Sequence, residues 1–592
     1  MSGVFRCYRS PSIPRVLVLL PCLLLLSVAL VGVACHQPKP EGTAASVPLT
    51  ERYVGFSVFA PDWPQEKNFT NEADRLRDLE EQGYLVAHHT SRLYGNMVRV
   101  PISLSGVLGR DPLVEVNPEF ATKPVYQLDE AVFNAALDRL RGELAASQAA
   151  TEKEFGAEGE LGGWKFWDAV FSGIQKYNQT VASSPPGKYR PVFVDLVLVG
   201  TAPALILEAL TGREAKSASE SLSGDALWAS YRRLQLTFIR KLIQRYGKGY
   251  AQQDVPALFP VVVALELFNE PDYEWLPDEV KIEKARDPDR YPCDKYISQL
   301  HLPQIPDHDL PGKGCVRRHG IYQEQDLGFA PAPVALRDFR WGTKFDKYVA
   351  AFADFHEHAS VAAKDEITRG AAEVRVISSA VTSVNLDWFR RMFLVNPHTF
   401  RAVDAVGIHP YHWPRHDIQD MRFIGPPFEQ EWTTLSPREF ARQYAKRFDF
   451  FTILAALISQ PTPEKSYGLS GHPIWITEFG IPTKKIGRDN PEEILQRYSL
   501  AIYDRRTPVP KGLRAIIWED KWEAFFDQVS PEFLRQNRIE AFFIYTLRET
   551  AENETSDNNH SNFSVYRSDW SSRLAPETLN RMADFFLRLR DG

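Results

Sequence analysis

The sequence predicts a (β/α)8 barrel. Three observations carry that expectation: eight short apolar runs recur along the chain, helical segments fall between them, and the longest connections follow the C-terminal ends of strands. The runs are YVGFSVFA (53–60), NMVRVPIS (96–103), PVFVDLVLVG (191–200), FPVVVALELF (259–268), EVRVISSA (373–380), DAVGIHP (404–410), PIWITEFG (473–480) and EAFFIYTL (540–547). Most are near-continuous rather than alternating, as parallel strands buried on both faces require. Strand then helix, repeated, is the barrel pattern.

The helices follow in order. DEAVFNAALDRLRGELAAS and WKFWDAVFSGIQKYN read as two helices before the third strand, and residues 223–246 as one before the fourth. Residues 346–366 read as the helix before the fifth strand. Ser436-Pro437-Arg438-Glu439 sets a cap, an N1 proline and an N3 glutamate in capping-box register ahead of the seventh strand. Asn490-Pro491-Glu492-Glu493 repeats that logic after it, and APETLNRMADFFLRLRDG closes the chain.

A bare barrel needs about 250 residues, whereas this chain has 592. The excess lies in connections 104–190, 272–345 and 411–435. Each follows a strand's C-terminal end, where barrel enzymes build their sites. The catalytic barrel is therefore placed at 51–592, with a smaller barrel plus an insertion domain as the alternative.

The composition is that of a soluble globular protein, with 44 % hydrophobic and 24 % charged residues. A net charge of -7 and scattered basic residues argue against nucleic acid as a partner. Residues 1–35 stand apart: Arg6, Arg9 and Arg15 precede an apolar run from Val16 to Ala34. A basic start, an apolar stretch and a small residue before a boundary describe a secretory signal. The next residue is Cys35, and a polar tether (36–50) follows. The arrangement resembles a bacterial lipoprotein signal, which implies lipidation at Cys35; a non-cleaved anchor helix is the alternative. Either places the body of the protein outside the cytoplasm, as a membrane-anchored lipoprotein or a secreted protein. Outside this region only Cys293 and Cys315 remain. In an exported loop they are expected to form a disulfide, about 3 kcal/mol in the chain-entropy model, or to stay as buried free thiols.

Chemistry concentrates at two strand ends. The fourth strand delivers Asn269-Glu270-Pro271 and the seventh delivers Glu478. Strands four and seven lie almost opposite each other around the ring, so their terminal side chains converge over the axis, and residues there read as catalytic. The plain alternative is a pair of solvated glutamates in strand-end ion pairs. Two carboxyls about 5 Å apart suffice for double displacement at a glycosidic bond. Arg99 on strand two is expected to hold one carboxylate ionised, or to form a structural ion pair. His409, His412 and His416 cluster, yet Pro410 and Pro414 break any helix that would align them, so neither metal nor cofactor is expected. Trp63, Tyr273, Trp275, Trp413 and Tyr545 offer flat faces for sugar rings, or simply pack.

Asn-Glu-Pro after strand four, His-x-Tyr after strand six and Thr-Glu-Phe-Gly after strand seven resemble the clan (clan A) of retaining (β/α)8-barrel glycoside hydrolases. The family-five cellulases and mannanases give the nearest pattern; family thirty-nine is a rival, because NEPDYEW also resembles its acid/base segment. The resemblance implies Glu270 as general acid/base, Glu478 as nucleophile and Asn269 on the sugar 2-hydroxyl. It further implies that Tyr411 donates a hydrogen bond to Glu478 and that His409 meets an oligo- or polysaccharide substrate. Many members end strand eight in tryptophan; here Tyr545 stands in that place. Two further readings compete with hydrolysis of a β-linked (or α-L-linked) sugar. One is transglycosylation by the same mechanism, the other a catalytically silent carbohydrate-binding surface lipoprotein. A metal-dependent barrel hydrolase is a third.

Overall fold

The computed structural model describes residues 52–58, 71–108, 130–153, 162–185, 189–200, 202–211, 225–253, 255–272, 274–275, 344–382, 386–410, 458–459, 462–480, 522, 526, 530–548 and 564–591. Residues Glu51–Gly592 form one compact unit, distinct from Met1–Thr50. Among the described residues no helix is long and apolar enough to cross a membrane.

Eight parallel strands form the barrel. They are β1 (Tyr53–Ser57), β2 (Met97–Ile102), β3 (Phe193–Leu198), β4 (Val262–Glu266), β5 (Arg375–Ile377, resuming at Val381–Thr382), β6 (Val406–His409), β7 (Ile474–Phe479) and β8 (Ile539–Tyr545). Each neighbours the next, and β1 pairs with β8 as well as β2. The ring closes through the fifth strand. Its first piece pairs with β4, from Ala264↔Arg375 to Glu266↔Ile377. Its second pairs with β6, at Val381↔Ile408 and Thr382↔His409. All eight expected runs thus become barrel strands, each slightly shorter than its apolar run, and the fifth resumes beyond its run at Val381–Thr382.

The outer elements are α1 (Glu72–Arg92), α2 (Leu104–Leu108), α3 (Glu130–Lys153), α4 (Gly162–Ala182), α5 (Ala204–Thr211) and α6 (Ala226–Tyr246). They continue with α7 (Lys344–Arg369), α8 (Leu386–Val395), α9 (Pro463–Ser466), α10 (Pro531–Gln536) and α11 (Pro576–Asp591). Helix α6 starts where Asp225 accepts from the Trp228 N–H at 2.9 Å, satisfying an orphan donor of the first turn. Helix α10 uses the same device, with Ser530 accepting from the Phe533 N–H at 3.1 Å and proline at N1. The capping sequences expected at Ser436 and Asn490 lie outside the described residues, as do most of connections 272–345 and 411–435.

Helix α1 packs along α4. A Cβ at Gly83 would lie 2.1 Å from the Val170 carbonyl oxygen, and one at Gly173 would lie 2.0 Å from that of Glu80. Glycine on both helices is what lets the two backbones touch.

Two apolar clusters result. The larger joins the outward strand faces to the helices. The smaller contains Met97, Ile377, Ala405, Trp475, Ala541 and Phe543, with Tyr53 and Phe193 packed on it. Strand register aligns its members: Gly55 is level with both Met97 and Phe543, and Tyr53 with Ala541. It is the floor of the barrel interior, and polar side chains begin one pleat above it.

Candidate active site

Three strands of otherwise apolar sequence each carry one charged residue in that next layer: Arg99 on β2, Asp195 on β3 and Glu266 on β4. Arg99 and Asp195 are direct register partners, so both face the same side of the sheet. The guanidinium is shared among three residues. Its Nε and Nη2 donate to the two Glu266 oxygens, both at 2.8 Å, and Nη2 also donates to Asn269 Oδ1 at 2.6 Å. Its Nη1 donates to Glu478. Burial would depress the Arg99 guanidinium, but the Glu266 and Glu478 charges outweigh burial and hold it well above its ordinary value. Asp195 is 0 % exposed, and neither carboxyl oxygen has a hydrogen-bond partner among the described residues. Burial first, then the Glu266 charge, pushes its carboxyl well up, against the pull of Arg99. Burial thus favours the protonated form of Asp195 beneath the ion pairs.

Glu478 reaches the mouth through an irregularity in β7. The register against β8 shifts between Ile476 and Phe479. A bulge re-aims side chains that a regular strand would send to opposite faces. Thr477 and Glu478 accordingly serve the same site: Thr477 Oγ1 lies 3.0 Å from His409 Nε2, and Glu478 accepts from Arg99.

Glu270 sits just past β4 in a left-handed conformation with φ 40°, uncommon for a side chain larger than glycine. Such outliers concentrate at functional sites. Asn269, next to it, continues the sheet: its N–H donates to Leu198 O at 2.9 Å, and it bridges to Ala380.

His409 lies between the glutamates. Its Nδ1 is 2.8 Å from Glu270 Oε1 and 3.8 Å from Glu478 Oε2. Burial lowers the imidazole to about 4, so it is neutral at neutral pH. A neutral imidazole against Glu270 leaves one proton in that contact, either a Glu270 O–H donating to Nδ1 or an Nδ1–H donating to the carboxylate. The expected substrate contact of His409 is corrected here: the ring is completely buried and serves the carboxyls instead.

Ligand atoms of Glu270, His409 and Glu478 all lie within 4.8 Å of one another. Such a trio has metal-like spacing, but a cation there would compete with Arg99 for Glu478 and with the Glu270–His409 contact. His412 and His416 lie outside the described residues.

The remaining expected residues fall into two sets. Trp275 is not a sugar platform: it is 1 % exposed, stacked on Phe355, edge-on to Phe268, with its indole N–H donating to Tyr348 O at 3.1 Å. Tyr545 ends β8 level with Ser57 and keeps 9 % exposure. Trp63, Tyr273, Tyr411, Trp413, Cys35, Cys293 and Cys315 lie outside the described residues.

Four residues of the site escape a reading by motif: Asp195, Glu266, Glu274 and Thr477. For the first two the signal was present, a lone carboxylate inside a continuous apolar run (VFVDLVLV and VVALELF). Glu274 is held by its neighbours: its Oε1 accepts from Asn269 Nδ2 at 2.5 Å. Burial, reinforced by the Glu270 charge, pushes its carboxyl up to about 8.

No protein-family model matches the chain, and no curated protein does. Among solved structures it is similar to a family 39 glycoside hydrolase from the gut symbiont Bacteroides cellulosilyticus WH2, at 10 % identity and TM-score 0.34. That likeness covers 90 % of this chain and 63 % of the other, so the chain spans less than two thirds of that protein. It is also similar to a hyperthermophilic β-glucosidase from Pyrococcus furiosus (11 % identity, TM-score 0.34, 91 % of this chain and 96 % of that one). A third similar structure is a GH5_18 protein from Bifidobacterium longum subsp. longum in complex with Manb1-4GlcNAc (10 % identity, TM-score 0.34, 91 % and 78 %). The barrel itself rests on its own strand order and register.

Proposed function

We propose that the chain is a retaining glycoside hydrolase acting on a β-linked (or α-L-linked) sugar, with Glu270 as acid/base and Glu478 as nucleophile. One observation carries the reading: a carboxyl oxygen of Glu270 and one of Glu478 lie within 4.8 Å across the barrel mouth. Retaining enzymes hold their carboxyls about 5–5.5 Å apart, while inverting ones need about 6.5–9.5 Å for an intervening water.

The steps follow from the contacts. Arg99 donates to Glu478, and a Glu478 carboxylate oxygen attacks the anomeric carbon. The C–O bond to the leaving sugar breaks, and Glu270 gives its proton to the departing oxygen. Glu270, now a carboxylate, takes a proton from water. The water oxygen bonds to the anomeric carbon, releasing Glu478. His409 receives or returns the Glu270 hydrogen bond in both steps.

Hydrolysis of aryl β-glycosides and of β-glucan, mannan and xylan oligomers by wild type and Glu478→Ala, with azide added to the variant, tests the reading. Turnover by wild type, its loss in Glu478→Ala, and rescue giving the glycosyl azide of inverted configuration are the expected results. Glu270→Ala should slow poor leaving groups by about a hundred- to ten-thousand-fold while sparing activated aryl glycosides. A silent wild type that still binds an oligomer would favour the carbohydrate-binding reading, and activity surviving in Glu478→Ala would sink the nucleophile assignment. The proposal includes export with an N-terminal tether at Cys35. Incorporation of labelled fatty acid that persists in Cys35→Ala would overturn that part.

A further inference from the structure

The proposed acid is followed after one turn by another carboxyl. The Glu274 N–H donates to the Glu270 carbonyl at 2.6 Å, placing Glu274 back over the site. A chain of side-chain hydrogen bonds then crosses the mouth. Glu274 Oε1 accepts from Asn269 Nδ2 at 2.5 Å, Asn269 Oδ1 accepts from Arg99 Nη2 at 2.6 Å, and Arg99 donates onward to Glu478. Arg99 can only donate, so it fixes which end of the Asn269 amide is oxygen; Glu274 anchors the nitrogen end.

We propose that Glu274 is a positioning residue: its carboxyl, hydrogen-bonded to Asn269, keeps the Asn269–Arg99–Glu478 chain aligned, and its ionisation slackens that chain. The inference rests on the glycosidase reading above.

The charges facing Glu274 explain why its proton matters. Glu270 and Asn269 approach from its own segment beyond β4, Arg99 from β2 and Glu478 from β7, with His409 on β6 behind Glu270. Arg99 is the one cation among these groups, and it already serves Glu266 and Glu478. A neutral Glu274 adds an acceptor without adding charge. An ionised Glu274 draws Asn269 Nδ2 and Arg99 toward itself and away from Glu478, beside a second carboxylate. Burial and Glu270 place that ionisation at about 8.

The test is the pH profile of kcat/KM for wild type, Glu274→Gln and Glu274→Ala on an aryl glycoside that wild type turns over. Glutamine keeps a carbonyl for Asn269 and cannot ionise. On an activated aryl glycoside, whose departure does not need the Glu270 proton, the alkaline limb should move up by about one unit or more in Glu274→Gln with KM little changed. Glu274→Ala, lacking the acceptor, should lose kcat across the whole profile. A Glu274→Gln limb that coincides with the wild-type limb overturns the proposal.

A second readout needs no turnover. In the folded protein the carboxyl stays protonated to about 8, against an ordinary value of 4.5. The unfolded chain releases that proton first, so stability falls as pH rises from the ordinary value toward the folded one. The Tm of Glu274→Gln should therefore exceed that of wild type at pH 8 by more than it does at pH 5. An equal difference at both shows that Glu274 does not titrate there, and overturns the proposal even if no substrate has been found. A silent wild type with the expected Tm pattern refutes the glycosidase reading alone.

Discussion

Arg99 joins stability and chemistry in one side chain. It is buried, forked onto Glu266, and extended to Asn269 and Glu478. Removing it strands a buried carboxylate, which typically costs about 3–5 kcal/mol. Arg99→Met should show that loss in denaturant unfolding. Pairing it with Glu266→Gln should recover part of it, because the second change removes the stranded charge. If the double variant is no more stable than Arg99→Met, the Glu266 fork is not what holds this layer together. That Glu270 and Glu478 meet in space was legible because strand ends in a barrel converge by geometry, whatever the loops do. Trp275 was not, because a tryptophan next to a strand end at the barrel mouth reads the same whether its face is open or covered. Only the positions of Phe268, Phe352 and Phe355 settle that.

At the scale of elements, what the sequence announces depends on what packs against it. Barrel strands are buried on both faces, so their apolar runs stand out regardless of register. Helix α1 gives a weaker signal: its buried positions include Asp78, Gln82, Gly83, His89, Thr90 and Ser91 beside Leu79, Val86 and Ala87. Part of its packing is backbone contact with α4, which an amphipathic pattern does not encode. That contrast predicts opposite effects for one kind of substitution. Gly83→Ala places a methyl against the Val170 carbonyl and should destabilise by about 1–3 kcal/mol. Gly142→Ala, in α3 where an added Cβ meets nothing within 4 Å, should stabilise by about 0.5–1 kcal/mol. Thermal melts of the two variants, read side by side, check the pair; a tolerated Gly83→Ala would mean that α1 and α4 separate cheaply. The bulge in β7 is the other element-level feature hidden from sequence, since alternation alone would send Thr477 and Glu478 to opposite faces.

The unit Glu51–Gly592 is built on a ring of strands with one discontinuous member. The fifth strand divides its loyalty: Arg375–Ile377 ladder chiefly with β4, Val381–Thr382 ladder with β6, and little ladder is shared in between. A hoop with a split stave is most easily sprung there. Cooperative opening of this seam should expose the β5 amides to hydrogen exchange before those of β2 and β3, which share an unbroken six-residue ladder. Earlier exchange at β2 than at β5 would contradict it. The position of the seam also matters, because Ala380, in the gap between the two pieces, is the residue that bridges to Asn269. Each breath of the ring would then tug the segment carrying Glu270 while leaving Glu478, on the far stave, in place. The spacing between the two carboxyls should therefore follow the opening of that seam, and a covalent staple across β4 and β6 would narrow its spread.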